Sequence, residues 1–302
     1  MNMKKLIVIG GPTASGKTGL AIALAKKFHA EIISADSRQF YNKLDIGTAK
    51  PSTTELNSVV HHFINFLEPN EDYNIGRFEI DALKKIEELF KTNEYVVLVG
   101  GSGLYIQAVC EGFDELPESD PILREKFKKI IEEGGLEKLA EYLKEKDPEY
   151  FEIVDKKNKH RIIRALEVIE QSGITYTELR KSIKKIRPFD IIKIGIDLDR
   201  KELYHKINER VDDMMKLGLV GEVTSLLPYR NLNALKTVGY EEIFDYLDHT
   251  IPLDEAVELI KKHSRNYAKR QVTWFKRDKK FEWIKGNLLE EATKIIFRNS
   301  KL

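Results

Sequence analysis

Residues 5–18 read Lys5-Leu6-Ile7-Val8-Ile9-Gly10-Gly11-Pro12-Thr13-Ala14-Ser15-Gly16-Lys17-Thr18. A short apolar, β-branched run is followed by a Gly-rich turn. Thr18 to Phe28 then carry apolar residues at helical spacing: Leu20, Ile22, Ala23, Leu24 and Ala25. Strand, turn and helix in that order are the context a phosphate loop requires. Glycines let backbone N–H groups curl around phosphate oxygens, and the helix start adds partial positive charge. Gly11, Pro12, Thr13, Ala14, Ser15, Gly16, Lys17 and Thr18 are therefore expected to bind a diphosphate or triphosphate. Lys17 neutralises its terminal oxygens, and the Thr18 hydroxyl helps hold Mg²⁺. The motif does not say which phosphate compound is bound, and ATP stays open.

Outward from this motif, strands and helices alternate. Glu31 to Ala35 reads as a second strand closing on Asp36, and Arg77 to Phe90 as an amphipathic helix through Phe78, Ile80, Leu83, Ile86 and Leu89. Tyr95 to Val99 is a continuous apolar run, the mark of a strand buried on both faces of a parallel sheet. This is an α/β pattern. From about Asp114 the character changes to charged helices broken at Gly134-Gly135, Pro148 and Gly173, before an apolar strand returns at Ile191 to Leu198 and a helix at Lys201 to Leu217. The expected architecture is a parallel-sheet core (1–113 and 190–302) interrupted by an all-helical insertion (114–189). A long C-terminal helix from Asp254 to about Asp278 completes it, with Asp254 as its N-cap.

Composition sets the outer bounds. The chain has 302 residues, 42% hydrophobic and 33% charged, which fits a globular protein. Its one cysteine, Cys110, excludes an internal disulfide and a Cys-rich zinc site and suits a reducing cytoplasm. The apolar run after Lys5 stops at Gly10, too short for a signal segment, and no run approaches membrane-spanning length. A net charge of +1 hides an asymmetry: nine basic residues lie between Lys261 and Lys280 against the single acid Asp278. Two further basic runs are Arg180, Lys181, Lys184, Lys185, Arg187 and Lys156, Lys157, Lys159, Arg161, Arg164. Such runs permit an anionic partner, and they also serve as solvated helix faces.

An absence matters too. NTP-hydrolysing phosphate-loop proteins carry a Mg²⁺-binding acid at the end of a neighbouring strand. Val96-Val97-Leu98-Val99 ends instead in Gly100-Gly101-Ser102-Gly103. The acid at a strand end is Asp36, which belongs at the ligand cleft because open α/β sheets bind ligands there. Asp36 would equally cap a helix starting at Ser37.

Together with Asp36-Ser37, several further stretches complete a specific ordered set: Asp45-Ile46-Gly47-Thr48-Ala49-Lys50-Pro51, Gly100 to Tyr105, Arg161 to Glu167, Thr237-Val238-Gly239-Tyr240, and Tyr267 to Phe275. On these motifs the chain resembles the bacterial tRNA dimethylallyltransferases along nearly its whole length. The resemblance implies a phosphate-loop core holding dimethylallyl diphosphate and Mg²⁺, a tRNA anticodon stem-loop gripped by the insertion and the basic helix, and transfer of the prenyl group to the exocyclic amine of the adenosine 3′ of the anticodon. It makes Asp36 the general base and Arg210 the stabiliser of the leaving diphosphate, acting with Lys17 and Thr18. On the tRNA side it places Asp36, Ser37, Arg38 and Gln39; Ser102; Arg124; and His160, Arg161, Ile162, Ile163 and Arg164. It adds Lys236, Thr237, Val238, Gly239, Tyr240 and Glu241, and then Lys269, Arg270, Gln271, Val272, Thr273, Trp274, Phe275 and Lys276. Asn65 stands where the family usually has aspartate, and Ser102 where threonine is frequent. A monomer working in the cytoplasm is the default expectation.

The chemistry supports these roles independently. An adenine amine is a poor nucleophile, so a carboxylate that accepts its proton helps. The allylic carbon becomes cationic as diphosphate departs, and cations on the leaving group favour that step. A small-molecule kinase and an ATP-dependent RNA-binding switch are the rival readings of the same phosphate loop.

Overall fold

The computed structural model describes residues 4–114, 116–180 and 184–300; Met1 to Met3 at the start and Lys181 of the second basic run lie outside them. The chain divides into two compact units, residues 1–111 with 186–302, and residues 112–185.

In the first unit, β1 (Lys5–Gly10) leads through the phosphate loop into α1 (Lys17–Phe28). β2 (Ile32–Ser34), α2 (Thr53–Ser58), β3 (His61–His62), α3 (Ile75–Leu89), β4 (Tyr95–Gly100) and α4 (Gly103–Glu111) follow. In the second unit come α5 (Pro121–Lys146), α6 (Pro148–Ile153), α7 (Lys159–Ser172) and α8 (Tyr176–Leu179). The chain then returns to the first unit with β5 (Asp190–Ile196), α9 (Arg200–Lys216), α10 (Leu219–Ser225), α11 (Glu241–Leu247), α12 (Leu253–Arg277), β6 (Glu282–Ile284) and α13 (Leu288–Ser300).

The sheet is parallel, ordered β3-β2-β4-β1-β5-β6, with Ile7 opposite Val97 on one side and Ile192 on the other. Every β1 residue is buried, as the apolar run Leu6 to Ile9 at its centre requires. Side chains alternate between two cores: Leu6 and Val8 pack with α3, α4 and the helices around α11, and Ile7 and Ile9 pack with α1 and α13.

Several expectations are corrected. α12 starts at Leu253 after Pro252, and Asp254 lies in its first turn without capping it, where its charge still suits the helix dipole. α12 is not the end of the fold, because β6 pairs with β5 and α13 packs on α1 beyond it. A three-residue strand is too short to show a periodicity. No helix begins at Ser37; Asp36 Oδ1 instead accepts the Arg38 N–H at 3.1 Å in a tight turn. The expected break at Gly134-Gly135 is a kink inside α5, with Gly135 at φ 77.

The second unit closes on Phe127, Leu139, Leu143, Ile162 and Leu166. Residues 186–189, grouped with the insertion by composition, belong to the sheet unit: Arg187 pairs with Glu79 at 2.8 Å and Phe189 packs against Phe90.

Candidate active site

α1 begins at Lys17 with no side chain capping its first turn, and Gly16 before it sits at φ 88. Uncapped N–H groups at a helix start are free to bind an anion. Ala14 takes a left-handed φ of 59, a conformation costly for a residue with a Cβ and commonest at ligand sites. The Ser15 hydroxyl is buried without a hydrogen-bond partner. A polar atom in that state is costly unless a ligand satisfies it.

Two cations converge on the loop. Arg210 of α9 donates to Thr13 Oγ1 at 2.8 Å and to the Ala49 carbonyl at 3.3 Å. Lys17 donates to the Pro12 carbonyl. Burial, and then the Arg210 charge, push the Lys17 ammonium down to about 7, against the opposing pull of Asp36. Burial also lowers Arg210, again against Asp36. The two crowded cations and the carboxylate thus sense one another in a space short of negative charge.

Gln271 joins α12 to this loop. Its side-chain oxygen accepts the Thr13 N–H and its amide donates to the Gly101 carbonyl, both at 2.9 Å. Gly101 has to lack a side chain, since a Cβ there would lie 2.3 Å from Gln271 Nε2. At the end of β2, Ser102 Oγ accepts the Ser37 N–H at 3.2 Å, and Arg38 reaches the carbonyls of Asn233 (2.7 Å) and Lys236 (3.2 Å).

These elements enclose a cavity of about 460 Å³, within the usual range for small-ligand sites. Of the residues expected from sequence, Thr13, Lys17, Thr18, Asp36, Ser37, Arg38, Gln39 and Arg210 line it, with Lys236, Thr237, Val238, Gly239, Glu241, Arg270 and Gln271. Sequence reasoning missed an apolar wall made by Ile207, Val211 and Met214 of α9 with Ile260 of α12. Ile207, Arg210, Val211 and Met214 follow helical spacing, so one face of α9 presents a cation among apolar side chains. It also gave no role to Gly47, Thr48 and Ala49, and it read Tyr267 only as one aromatic of an RNA-facing helix; Tyr267 is the one Phe, Tyr or Trp ring lining the cavity among the described residues. The Tyr267 hydroxyl is pushed up to about 12 by burial and by the Asp36 charge.

The remaining expected residues lie elsewhere. Gly11, Pro12, Ala14, Ser15 and Gly16 form the loop behind the lining. Tyr240 and Phe275 are buried in the core, against an expected RNA-side position, because the Tyr240 ring packs on Gly47 and the Phe275 ring on Gly10 of β1. Trp274 packs against the same core, and Val272 packs with Leu203 and Ile207. Lys269, Thr273 and Lys276 are exposed, and Lys276 lies 3.6 Å from Asp197. Arg265 bonds Asn208 at 2.6 Å.

In the helical unit, Arg124 and Arg164 both pair with the fully buried Glu167, at 3.0 and 2.8 Å. His160 and Arg161 are exposed, whereas Ile162 and Ile163 are core. Asn65, at φ 53, receives the Lys50 ammonium, and a left-handed turn suits Asn.

No group of three or more His, Cys, Asp or Glu side chains able to hold a metal gathers among the described residues. A cation that takes its ligands mostly from phosphate oxygens and water fits a cavity lined by both Thr18 and Asp36. Among the described residues no helix is long and apolar enough to cross a membrane.

The IPP transferase family model matches residues 39–278. The chain is 47% identical over 294 residues to tRNA dimethylallyltransferase 1 of Bacteroides thetaiotaomicron, covering 97% of this chain and 94% of that protein. It is 48% identical over 288 residues to the tRNA dimethylallyltransferase of Flavobacterium johnsoniae, with 93% of each covered. Among solved structures it is similar to the full-length tRNA isopentenylpyrophosphate transferase of Bacillus halodurans, with a TM-score of 0.73 and 34% identity over 99% of this chain and 98% of that one. A eukaryotic dimethylallyltransferase acting on tRNA gives a TM-score of 0.75 and 29% identity, covering 90% of this chain and 69% of the other.

Proposed function

This chain belongs to the IPP transferase family of tRNA dimethylallyltransferases and is a prenyltransferase acting on a tRNA adenosine, and we propose how its own residues divide that work. Dimethylallyl diphosphate lies with its diphosphate on residues 11–18 and its prenyl tail along Ile207, Val211, Met214 and Ile260. The adenosine immediately 3′ of the anticodon enters from the side of Asp36, Arg38 and Tyr267. The observation that carries this reading is the α9 face, where Arg210 stands among apolar side chains in the same cavity as Lys17 and Asp36. A phosphorylated sugar or a protein hydroxyl has no use for an apolar wall beside the phosphates. An allylic diphosphate does.

The adenine exocyclic nitrogen attacks the allylic carbon, the carbon–oxygen bond to diphosphate breaks, and Asp36 takes the proton the nitrogen loses. Lys17 and Arg210 receive the charge that develops on the departing diphosphate. Mg²⁺, held by Thr18 and the substrate oxygens, would supply further charge neutralisation there. An enclosed cavity keeps water from the allylic carbon, and a base normally held in a stack has to be turned out to reach it. Tyr267 offers that base a ring to stack on.

Contact with the anticodon stem-loop falls to the exposed Lys269, Thr273 and Lys276 of α12, and in the helical unit to Arg124, His160, Arg161 and Arg164. The protein works as a monomer in this reading, and a tRNA substrate with a lone buried cysteine suits the cytoplasm. The test is to incubate the protein with unmodified tRNA, dimethylallyl diphosphate and Mg²⁺ and weigh the RNA. One added prenyl unit per tRNA, on the adenosine 3′ of the anticodon after nuclease mapping, is expected. An unchanged RNA mass would overturn the reading.

A further inference from the structure

Glu222, on α10, gathers four donors from two separate loops. Its Oε2 accepts the backbone N–H of Asp45 at 3.0 Å and of Ile46 at 2.7 Å. Its Oε1 accepts the Gly47 N–H at 3.0 Å and the Tyr240 hydroxyl at 2.7 Å. Three successive backbone N–H groups converging on one carboxylate form an anion-binding nest, here filled by the protein's own side chain. The Tyr240 ring is wholly buried and presses on Gly47, where an added Cβ would come within 2.5 Å of it. The loop after Leu44 and the loop before α11, both lining the cavity, are thus pinned to a single group.

The first of these loops hands the constraint onward. The Ala49 carbonyl accepts Arg210 Nη2 at 3.3 Å, and the Thr48 and Ala49 carbonyls accept Gln39 Nε2 at 3.3 and 3.2 Å. Arg210 makes its other bond to Thr13 Oγ1. Ala49 itself holds a left-handed φ of 48, a conformation that persists only where the surroundings impose it. The Ala49 N–H donates to the Ile46 carbonyl at 2.9 Å and the Lys50 N–H to the Asp45 carbonyl at 3.1 Å, so the residues clamped by Glu222 and the Ala49 carbonyl move as one turn.

We propose that Glu222 is a positioning residue for prenyl transfer, holding the Asp45–Ala49 loop so that the Ala49 carbonyl aims the Arg210 guanidinium at the leaving diphosphate. The inference rests on the diphosphate-stabilising role given to Arg210 above. Glu222 touches neither substrate, and its effect is on orientation. Displacing a catalytic cation by about an ångström costs up to ~100-fold in rate.

Glu222→Gln is the test, since it keeps the side-chain shape while replacing one acceptor by an N–H₂ that repels the backbone donors. The kcat/KM for dimethylallyl diphosphate should fall by roughly 10- to 100-fold, with KM for tRNA little changed and a lower urea midpoint from the backbone donors left unpaired. The same substitution in an Arg210→Ala background should cost almost nothing further, because residues acting as a unit are not additive. Tyr240→Phe, which removes one of the four bonds, should give a smaller loss in the same direction and serves if Glu222→Gln fails to fold. An unchanged kcat/KM in both variants, or an equal loss with and without Arg210, would overturn the role of Glu222. Full activity of Arg210→Ala alone would instead overturn the role of Arg210 on which it rests.

Discussion

Gln271 Oε1 accepts the backbone N–H of Thr13 at 2.9 Å, joining α12 to the phosphate loop across 258 residues of sequence. The other end of the same amide holds the Gly101 carbonyl at the end of β4. The helix expected to face RNA is therefore also a strut for the diphosphate site. Gln271→Ala should leave both backbone groups without their buried partner and lower stability by about 1–3 kcal/mol. Affinity for inorganic pyrophosphate should fall with it. Urea denaturation and calorimetric titration check both, and a variant matching the parent in each would reduce the bridge to a passive contact.

Asp36 lies two residues past the end of β2, shares the cavity with Lys17 and Arg210, and bonds only the turn that follows it among the contacts described. Asp36→Asn should preserve tRNA affinity while prenyl transfer falls by about two or more orders of magnitude. Near-normal turnover would leave Asp36 as a turn-forming residue.

The depressed Lys17 ammonium makes a pH prediction. Its folded value of about 7 lies below the ordinary 10.5. Between those limits the unfolded chain binds more protons than the folded one, so this residue makes stability rise with pH across that window. Lys17→Met, which cannot titrate, should be more stable than the parent below pH 7, by a margin that shrinks as pH climbs toward 10.5. Urea midpoints of the two proteins across this range supply the measurement, and a gap independent of pH contradicts the assignment. Binding pyrophosphate should restore the charge, so titration above pH 7 should take up more protons for the parent than for Lys17→Met.

Arg265 and Lys269 read alike in sequence, yet only Lys269 is free to meet a phosphate. Arg265 is half-buried against α9 and bonds Asn208 at 2.6 Å, whereas Lys269 is exposed. Lys269→Ala should flatten the slope of log tRNA affinity against log salt by ~0.7, the increment for a single-stranded phosphate contact. Arg265→Ala should leave the slope unchanged. Salt titrations of both variants decide it; equal slopes for Lys269→Ala and the parent would move the RNA grip away from this face.

β4 ends at Gly100 and is followed by Gly101, with no carboxylate to complete an ATP-hydrolysing Mg²⁺ site. The protein should hydrolyse negligible ATP with or without tRNA, and release diphosphate when given the prenyl donor, Mg²⁺ and tRNA. Robust tRNA-stimulated ATP turnover would revive the RNA-switch reading.

What sequence alone determined was local. A phosphate loop is built by contiguous residues, so Lys5 to Phe28 announced strand, turn and helix together, and the continuous apolar run of β4 announced a parallel sheet covered on both faces. Asp36 was legible as a cavity-lining residue because strand ends define the cleft in such sheets. β3 and β6, at two and three residues, were not, because so short a segment has no period of its own and forms only against a neighbour already in place.

Tertiary structure decided which of the equivalent-looking residues act. Tyr240 and Phe275 read as part of RNA-facing motifs, yet packing against Gly47 and Gly10 sends both rings inward. Ile207, Val211 and Met214 read as an ordinary apolar stripe, and become a cavity wall because α12 crosses them and supplies Ile260. Glu222 carries no motif at all; its meaning comes from three N–H groups 175 to 177 residues away. The physical reason is the same throughout. Local patterns report what a segment does with its own backbone, and a site is made where side chains remote in sequence satisfy one another's charges and hydrogen bonds.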